Sequence, residues 1–370
     1  MLDSTWPEGY LLLEDGARFG GRLAVPDAEG VGEVVFTTNL TGYQEVLTDP
    51  SYAGQIVTMT APMMGVYGTR SEDDQSRRPW VAGFLVRRLS RSRGSWRSEG
   101  PLEGYLREHG IPTLVGADTR AVTRHIREAG AMRGVVVGAD VPEEEARRRI
   151  EAEPSMAGRD LATEVSTPDP YEMEAEGADR GTVVCLDYGV KRRSLELICG
   201  AGYDVRVVPA DTTAEEVLEA GPTGVFVSNG PGDPDAVPDA AERLREIAGA
   251  DVPVFGICLG HQLVARAFGG ESFKLRYGHR GGNHPVRNLE TDEIEITSQN
   301  HGFAVVADDG GVAGAPELEV THLNLNDGTI EGLRHRELPV FAVQYHPESA
   351  PGPHDSRYLF REFVSAMAPG

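Results

Sequence analysis

The chain has 370 residues, 40% of them hydrophobic, which is enough for about two globular domains with their own cores. Its formal net charge of -23, from 58 acidic against 35 basic residues, repels nucleic acid and anionic membrane surfaces rather than recruiting them. No apolar run reaches the length of about 18 residues that a membrane span needs, and Met1 to Tyr10 lacks the basic start, apolar stretch and small-residue cleavage site of a leader, so a soluble, cytoplasmic protein is expected.

In chain order, short β-rich runs alternate with turns through the first part: Leu11 to Leu13, Glu33 to Thr37, Gln55 to Thr60 and Arg133 to Val137. Helical patterns occur at Leu102 to Glu108, at Asp118 to Glu128 and after Pro142. These predict an α+β domain over residues 1–152. The locally basic run Arg87 to Arg97 reads either as a solvated surface or as a docking patch for a partner subunit. Over 153–180, Pro154, Gly158, Pro168, Pro170 and Gly177 interrupt an acidic, weakly periodic stretch that reads as a linker.

From 181 to 370 the alternation is regular at first. Strands at Thr182 to Leu186, Asp204 to Val208, Gly224 to Ser228 and Val252 to Ile257 are separated by helices at Lys191 to Cys199, Thr213 to Ala220 and Asp239 to Ala248. Near-continuous apolar strands between amphipathic helices predict an α/β domain, a mostly parallel sheet flanked by helices, with ligands at the carboxyl ends of its strands. Two such ends carry unusual residues: Asn229-Gly230-Pro231-Gly232-Asp233-Pro234 after one strand, and Cys258 after another.

Gly256-Ile257-Cys258-Leu259-Gly260-His261-Gln262 sets a cysteine between a strand and a helix expected to begin near His261. Such a nucleophile elbow lifts the side chain out of the backbone and aims a helix N-terminus at the sulfur, which favours negative charge there. Cys185 lies within a strand and Cys199 at a helix end, so both read as buried structural thiols. Three unevenly spaced cysteines make neither a disulfide framework nor a zinc site.

A thiolate nucleophile needs a base, an orienting partner for that base, and backbone donors for an oxyanion. Near the C-terminus the apolar run Pro339 to Val343 leads into Gln344-Tyr345-His346-Pro347-Glu348, where positions two apart in an extended segment share a side. Glu348 is therefore placed to hold one nitrogen of His346 while the other faces the sulfur. The Gly230 to Gly232 turn, without side chains, and the N–H of Leu259 offer the donors. The histidines at 261, 279, 284, 301 and 346 match no metal-ligand spacing, so no metal is expected.

These three motifs, in this chain order, resemble the triad-type (class I) glutamine amidotransferase domain over most of 181–370. The resemblance implies hydrolysis of L-glutamine: Cys258 forms a glutamyl thioester, His346 protonates the departing ammonia and later activates water, Glu348 orients His346, and Leu259 and Gly230 hold the oxyanion. The rest of the chain sets the family. Phe36 to Tyr52 (FTTNLTGYQEVLTDPSY), Gly54 to Val57, Gly116-Ala117-Asp118-Thr119-Arg120, Tyr277 to Val286 and Ser298 to Phe303 are similar to the small-subunit family of carbamoyl phosphate synthetases.

That likeness implies that Ser51, Gly230, Gly232, Leu259, Gln262, Asn300, Gly302 and Phe303 hold the glutamine, Ser51 reaching from the N-terminal domain. Neutral polar groups and bare backbone suit a zwitterionic amino acid. It also implies a heterodimer with a large subunit that makes carbamoyl phosphate from bicarbonate, ATP and Mg2+ for pyrimidine and arginine biosynthesis. No cofactor is expected in this chain, which has no Gly-x-x-x-x-Gly-Lys-Ser/Thr loop and only two lysines, Lys191 and Lys274. The rivals are a glutaminase for another synthase, a non-catalytic scaffold subunit, and a cysteine peptidase or γ-glutamyl hydrolase.

The acid excess carries its own expectation. Self-repulsion among 58 carboxylates is relieved by screening, so the melting temperature should rise from low to molar KCl. A flat or falling melting temperature in that series would refute adaptation to a salty interior.

Overall fold

A computed structural model describes residues 5–177 and 180–368. The chain forms two compact units, Met1–Arg159 with Arg276–Arg280, and Asp160–Leu275 with Gly281–Gly370.

In the first unit β1 (Glu8–Leu13), β2 (Arg18–Leu23), β3 (Gly30–Thr37), β4 (Gln55–Met59), β5 (Gly83–Val86), β6 (Thr113–Val115) and β7 (Met132–Gly138) close into a barrel in the order β1-β2-β6-β5-β4-β3-β7. Pairs β3/β4, β4/β5 and β5/β6 are parallel. The helices are α1 (Tyr43–Thr48), α2 (Leu102–Glu108), α3 (Thr119–Ala129) and α4 (Glu143–Ala152). Strand alternation decides what each covers: Leu11 and Leu13 join Val34, Ile56 and Leu85 against Val122 and Ile126 of α3. Tyr10 and Leu12, pointing the other way, pack on Ala146 and Ile150 of α4. The expected strands and helices are all present, and closure into a barrel leaves no open edge.

The second unit begins earlier than expected. Within the stretch read as a linker, residues from Asp160 onward form α5 (Ala162–Val165) and β8 (Tyr171–Met173), and β8 pairs antiparallel with β10. The parallel core is β9 (Thr182–Asp187), β10 (Asp204–Pro209), β11 (Gly224–Val227), β12 (Val254–Ile257) and, far along the chain, β19 (Val340–Val343), in the order β10-β9-β11-β12-β19.

Alternate residues of each core strand go to opposite faces. Val184, Leu186, Val225 and Val254 meet α7 (Ala214–Glu219), α8 (Ala240–Gly249) and α9 (Leu259–Ala267), whereas Val183, Cys185, Phe226 and Phe255 meet α6 (Arg192–Cys199) and α10 (Tyr358–Ala366). Burial on both faces explains the unbroken apolar runs.

The rest of the sheet was not foreseen. It continues from β19 through β18 (Ile330–His335), β17 (Leu318–Asn324), β13 (Ser272–Asn288) and β14 (Ile294–Val305), with a small β15 (Ala307–Asp308) and β16 (Gly311–Val312) pair beside it. The β13/β17, β17/β18 and β18/β19 pairs are antiparallel. Among the described residues no helix is long and apolar enough to cross a membrane.

Candidate active site

Four strand ends of the second unit supply the site. After β12 the chain turns directly into α9, with Cys258 as the capping residue at φ 56° and ψ -103°. A left-handed backbone at a non-glycine residue is strained and persists only where its surroundings hold it. Here the Cys258 N–H donates to the Val343 carbonyl (2.8 Å), the Cys258 carbonyl accepts from Gln262 (3.2 Å), and the Gly260 N–H donates to the Ser228 carbonyl (3.1 Å). Gly260 must be glycine, since a Cβ there would lie 2.2 Å from the Val227 carbonyl oxygen. The helix starts at Leu259 rather than near His261, so its first N–H groups, which have no intrahelical acceptor, lie directly beside Cys258.

Cys258 is 2% exposed, and its Sγ lies 3.6 Å from the Asn300 carbonyl oxygen. Beyond β19, the His346 N–H is fixed to the Ser298 carbonyl at 2.9 Å. Its Nδ1 is 2.7 Å from Glu348 Oε1. A carboxylate only accepts, so Nδ1 carries hydrogen and Nε2 is the atom left for the sulfur and the substrate.

Sequence reasoning missed the fourth member. Lys191, which caps α6 after β9, is buried, ion-pairs through Nζ with Glu348 Oε1 and donates to the Ala350 carbonyl at 3.1 Å. A lysine beside Arg192 and Arg193 reads as solvated; its one signal is rarity, as one of two lysines in the chain.

The electrostatics follow from this order of charges. Burial opposes ionisation of Glu348, but the charges of Lys191 and His346 and their hydrogen bonds hold it down at about 2. For His346, burial and the Lys191 charge work against the proton, while Glu348 and Cys258 outweigh them and raise it to about 9. The imidazole is therefore protonated at neutral pH. Neighbouring His261, fully buried on α9, is pushed down to about 3 by burial and is therefore uncharged. Burial pushes the Cys185 thiol well up and that of Cys199 to about 11, as expected of structural thiols.

The two residues expected to donate to an oxyanion, Gly230 and Leu259, lie against each other. A Cβ on Gly230 would sit 2.1 Å from the Tyr188 carbonyl oxygen and 2.9 Å from Leu259 Cδ2, so only glycine lets the β11 end lie against Leu259. Gly232, two residues on, has φ 93°. Gln262, in the first turn of α9, donates from Nε2 to the Phe303 carbonyl (2.8 Å) and to Gln344 Oε1 (3.0 Å), tying the elbow to β14 and the β19 end. Asn300, Gly302 and Phe303 all lie on β14. The Phe303 ring is buried, with Lys274 Nζ 5.4 Å from its centroid. Ser51 belongs to the first unit, buried in the turn Pro50–Tyr52, where its N–H donates to Asp49 Oδ1 at 3.0 Å.

A buried cysteine on an elbow, backed by histidine, glutamate and lysine on a doubly covered sheet, is the equipment of amide hydrolysis, and residues 184–366 match the family model described as glutamine amidotransferase class-I. Residues 11–136 match a second model, the CPSase domain of the carbamoyl-phosphate synthase small chain. The carbamoyl phosphate synthase small chain of Synechococcus sp. is 48% identical over 368 residues, covering 96% of this chain and 93% of its own. That of Syntrophotalea carbinolica is 47% identical, covering 97% and 98%, and that of Thermosynechococcus vestitus 50% identical, covering 96% of each. The chain belongs to the carbamoyl phosphate synthase small chain family and is a glutamine-hydrolysing amidotransferase.

Proposed function

We propose that this chain hydrolyses L-glutamine through a thioester on Cys258 and delivers the ammonia to a carbamoyl phosphate synthase large chain, in the cytoplasm, for pyrimidine and arginine biosynthesis. The observation that carries this reading is the buried line Lys191, Glu348, His346 behind a cysteine at the mouth of a helix.

In the proposed sequence, a sulfur electron pair attacks the side-chain amide carbon and the carbonyl pair moves onto oxygen, held by the Leu259 and Gly230 N–H groups. As the carbonyl reforms, the C–N bond breaks and the imidazolium of His346 gives its proton to the departing nitrogen, which leaves as ammonia. Neutral His346 then takes a proton from water as the water oxygen attacks the thioester carbon. The sulfur departs with its electron pair, glutamate is released, and His346 is again protonated.

Within the second unit, glutamine is held by Gly230, Gly232, Leu259, Gln262, Asn300, Gly302 and Phe303. Because the Gln262 amide hydrogens are engaged, its side-chain oxygen is the group it offers an α-ammonium. ATP and Mg2+ act on the large chain, and no cofactor is assigned to this one. Docking of that partner is supported by the Arg87 to Arg97 segment, where Trp96 is 89% exposed with the Arg97 guanidinium 5.2 Å from its ring centroid.

Acid quenching during turnover of carbon-labelled glutamine tests the chemistry. Label should precipitate with the wild-type chain, be released by hydroxylamine, and be absent with Cys258→Ala. Wild-type protein that turns over without ever retaining label would exclude the thioester. Restoration of glutamine-dependent carbamoyl phosphate synthesis on adding a large chain tests the partner separately.

A further inference from the structure

Away from the catalytic line, four arginines converge on one groove of the second unit, although the chain carries a net charge of -23. The groove, about 850 Å³, is bordered by Arg193 of α6, by Arg357 and Arg361 at the start of α10, and by Arg180. Two carboxylates, Glu176 and Glu196, also line it, but Glu196 is taken up by Arg192 (3.1 Å) and Arg193 (3.0 Å). Positive charge remains in excess.

Arg357 is the unusual member. Its Nε is buried with no hydrogen-bond partner among the described residues. Burial, and then the facing charge of Arg193, weakens its hold on its proton. Burial and those same two arginines also push His354 down. Like charges thus repel across the groove, and an oxyanion seated between the accessible ends of these guanidinium groups would relieve the repulsion. Beside the arginines, Leu197, Phe360 and Val364 form an apolar wall. Guanidinium forks suit phosphate, and the wall suits a flat apolar body attached to it.

We propose that this groove binds a phosphate monoester carrying an aromatic or similarly flat group, at a site separate from glutamine hydrolysis. None of the catalytic or glutamine-holding residues lines it.

Calorimetric titration of the full chain with phenyl phosphate and with inorganic phosphate, at one fixed low ionic strength, tests this. Phenyl phosphate should bind more tightly than inorganic phosphate, and Arg357→Gln should weaken it about tenfold or more. Arg361→Gln provides a second reading should the first variant melt early, and Arg127→Gln, at an exposed arginine of the first unit, should leave binding unchanged. The proposal is overturned by absent binding, by equal affinity for the two anions, or by equal losses in Arg127→Gln and Arg357→Gln. It is also overturned if assembly with a large chain abolishes binding, which would make the groove a protein contact.

Discussion

Cys258→Ala and His346→Asn should each reduce glutamine hydrolysis to a common floor, roughly 10⁴-fold or more below wild type, and the double variant should fall no further. The expectation rests on the two groups acting as one unit. Without the sulfur there is nothing for His346 to serve, and without the imidazolium the nitrogen must leave as an amide anion. In the assembled enzyme all three variants should use free ammonia at the wild-type rate, because that reaction bypasses this site. Steady-state glutaminase rates and ammonia-dependent synthesis measured on the same preparations check both halves. Losses that multiplied in the double variant would mean that the residues act independently, and loss of ammonia use would mean that assembly had been damaged instead.

Lys191→Met should have the next largest effect, a loss of roughly 10² to 10³-fold in glutaminase turnover together with a shifted pH profile. Its removal leaves Glu348 a buried carboxylate with a single cationic partner, His346, so stability should drop, though by less than the roughly 3–5 kcal/mol that an uncompensated buried charge costs. The sign of the pH effect distinguishes an electrostatic role from packing alone. Lys191 lowers the proton affinity of His346, which stands near 9 in the wild type. Activity depends on the protonated ring, so it should fall as pH rises through about 9, and in Lys191→Met that falling limb should move to higher pH. Rate profiles from pH 6 to 11 measure it. An unmoved limb with reduced turnover would assign Lys191 a purely structural part.

The parallel core was legible because its strands are covered on both faces: Val183, Val184, Phe226 and Phe255 have no solvent side to encode. Antiparallel β13 was not, since Lys274, Arg276, His279 and Arg280 with Gly278, Gly281 and Gly282 break any period of two. The linker reading failed for a similar reason. In β8, Tyr171 and Glu172 are exposed, so an edge strand made by three backbone pairings left little trace in the apolar pattern.

At the site, Cys258, His346 and Glu348 were legible because each follows a strand at a spacing that chemistry demands. Lys191 was not, because its burial depends on a partner 157 residues away, and a lysine heading an arginine-rich helix gives no hint of it. The helix start at Leu259 was hidden by Gly260, which reads as part of the turn although it already belongs to α9.

The left-handed backbone of Cys258 has a consequence for how the chain tolerates change. Elsewhere alanine is the safer replacement and glycine the loosening one, but here the order should invert. Cys258→Gly should be more stable than Cys258→Ala by about 1 kcal/mol in denaturant unfolding, because only glycine occupies that conformation without cost. Of the two inactive replacements, the one that folds better should thus be the one whose backbone fits, so unfolding measurements alone would give no warning that ammonia supply had been lost.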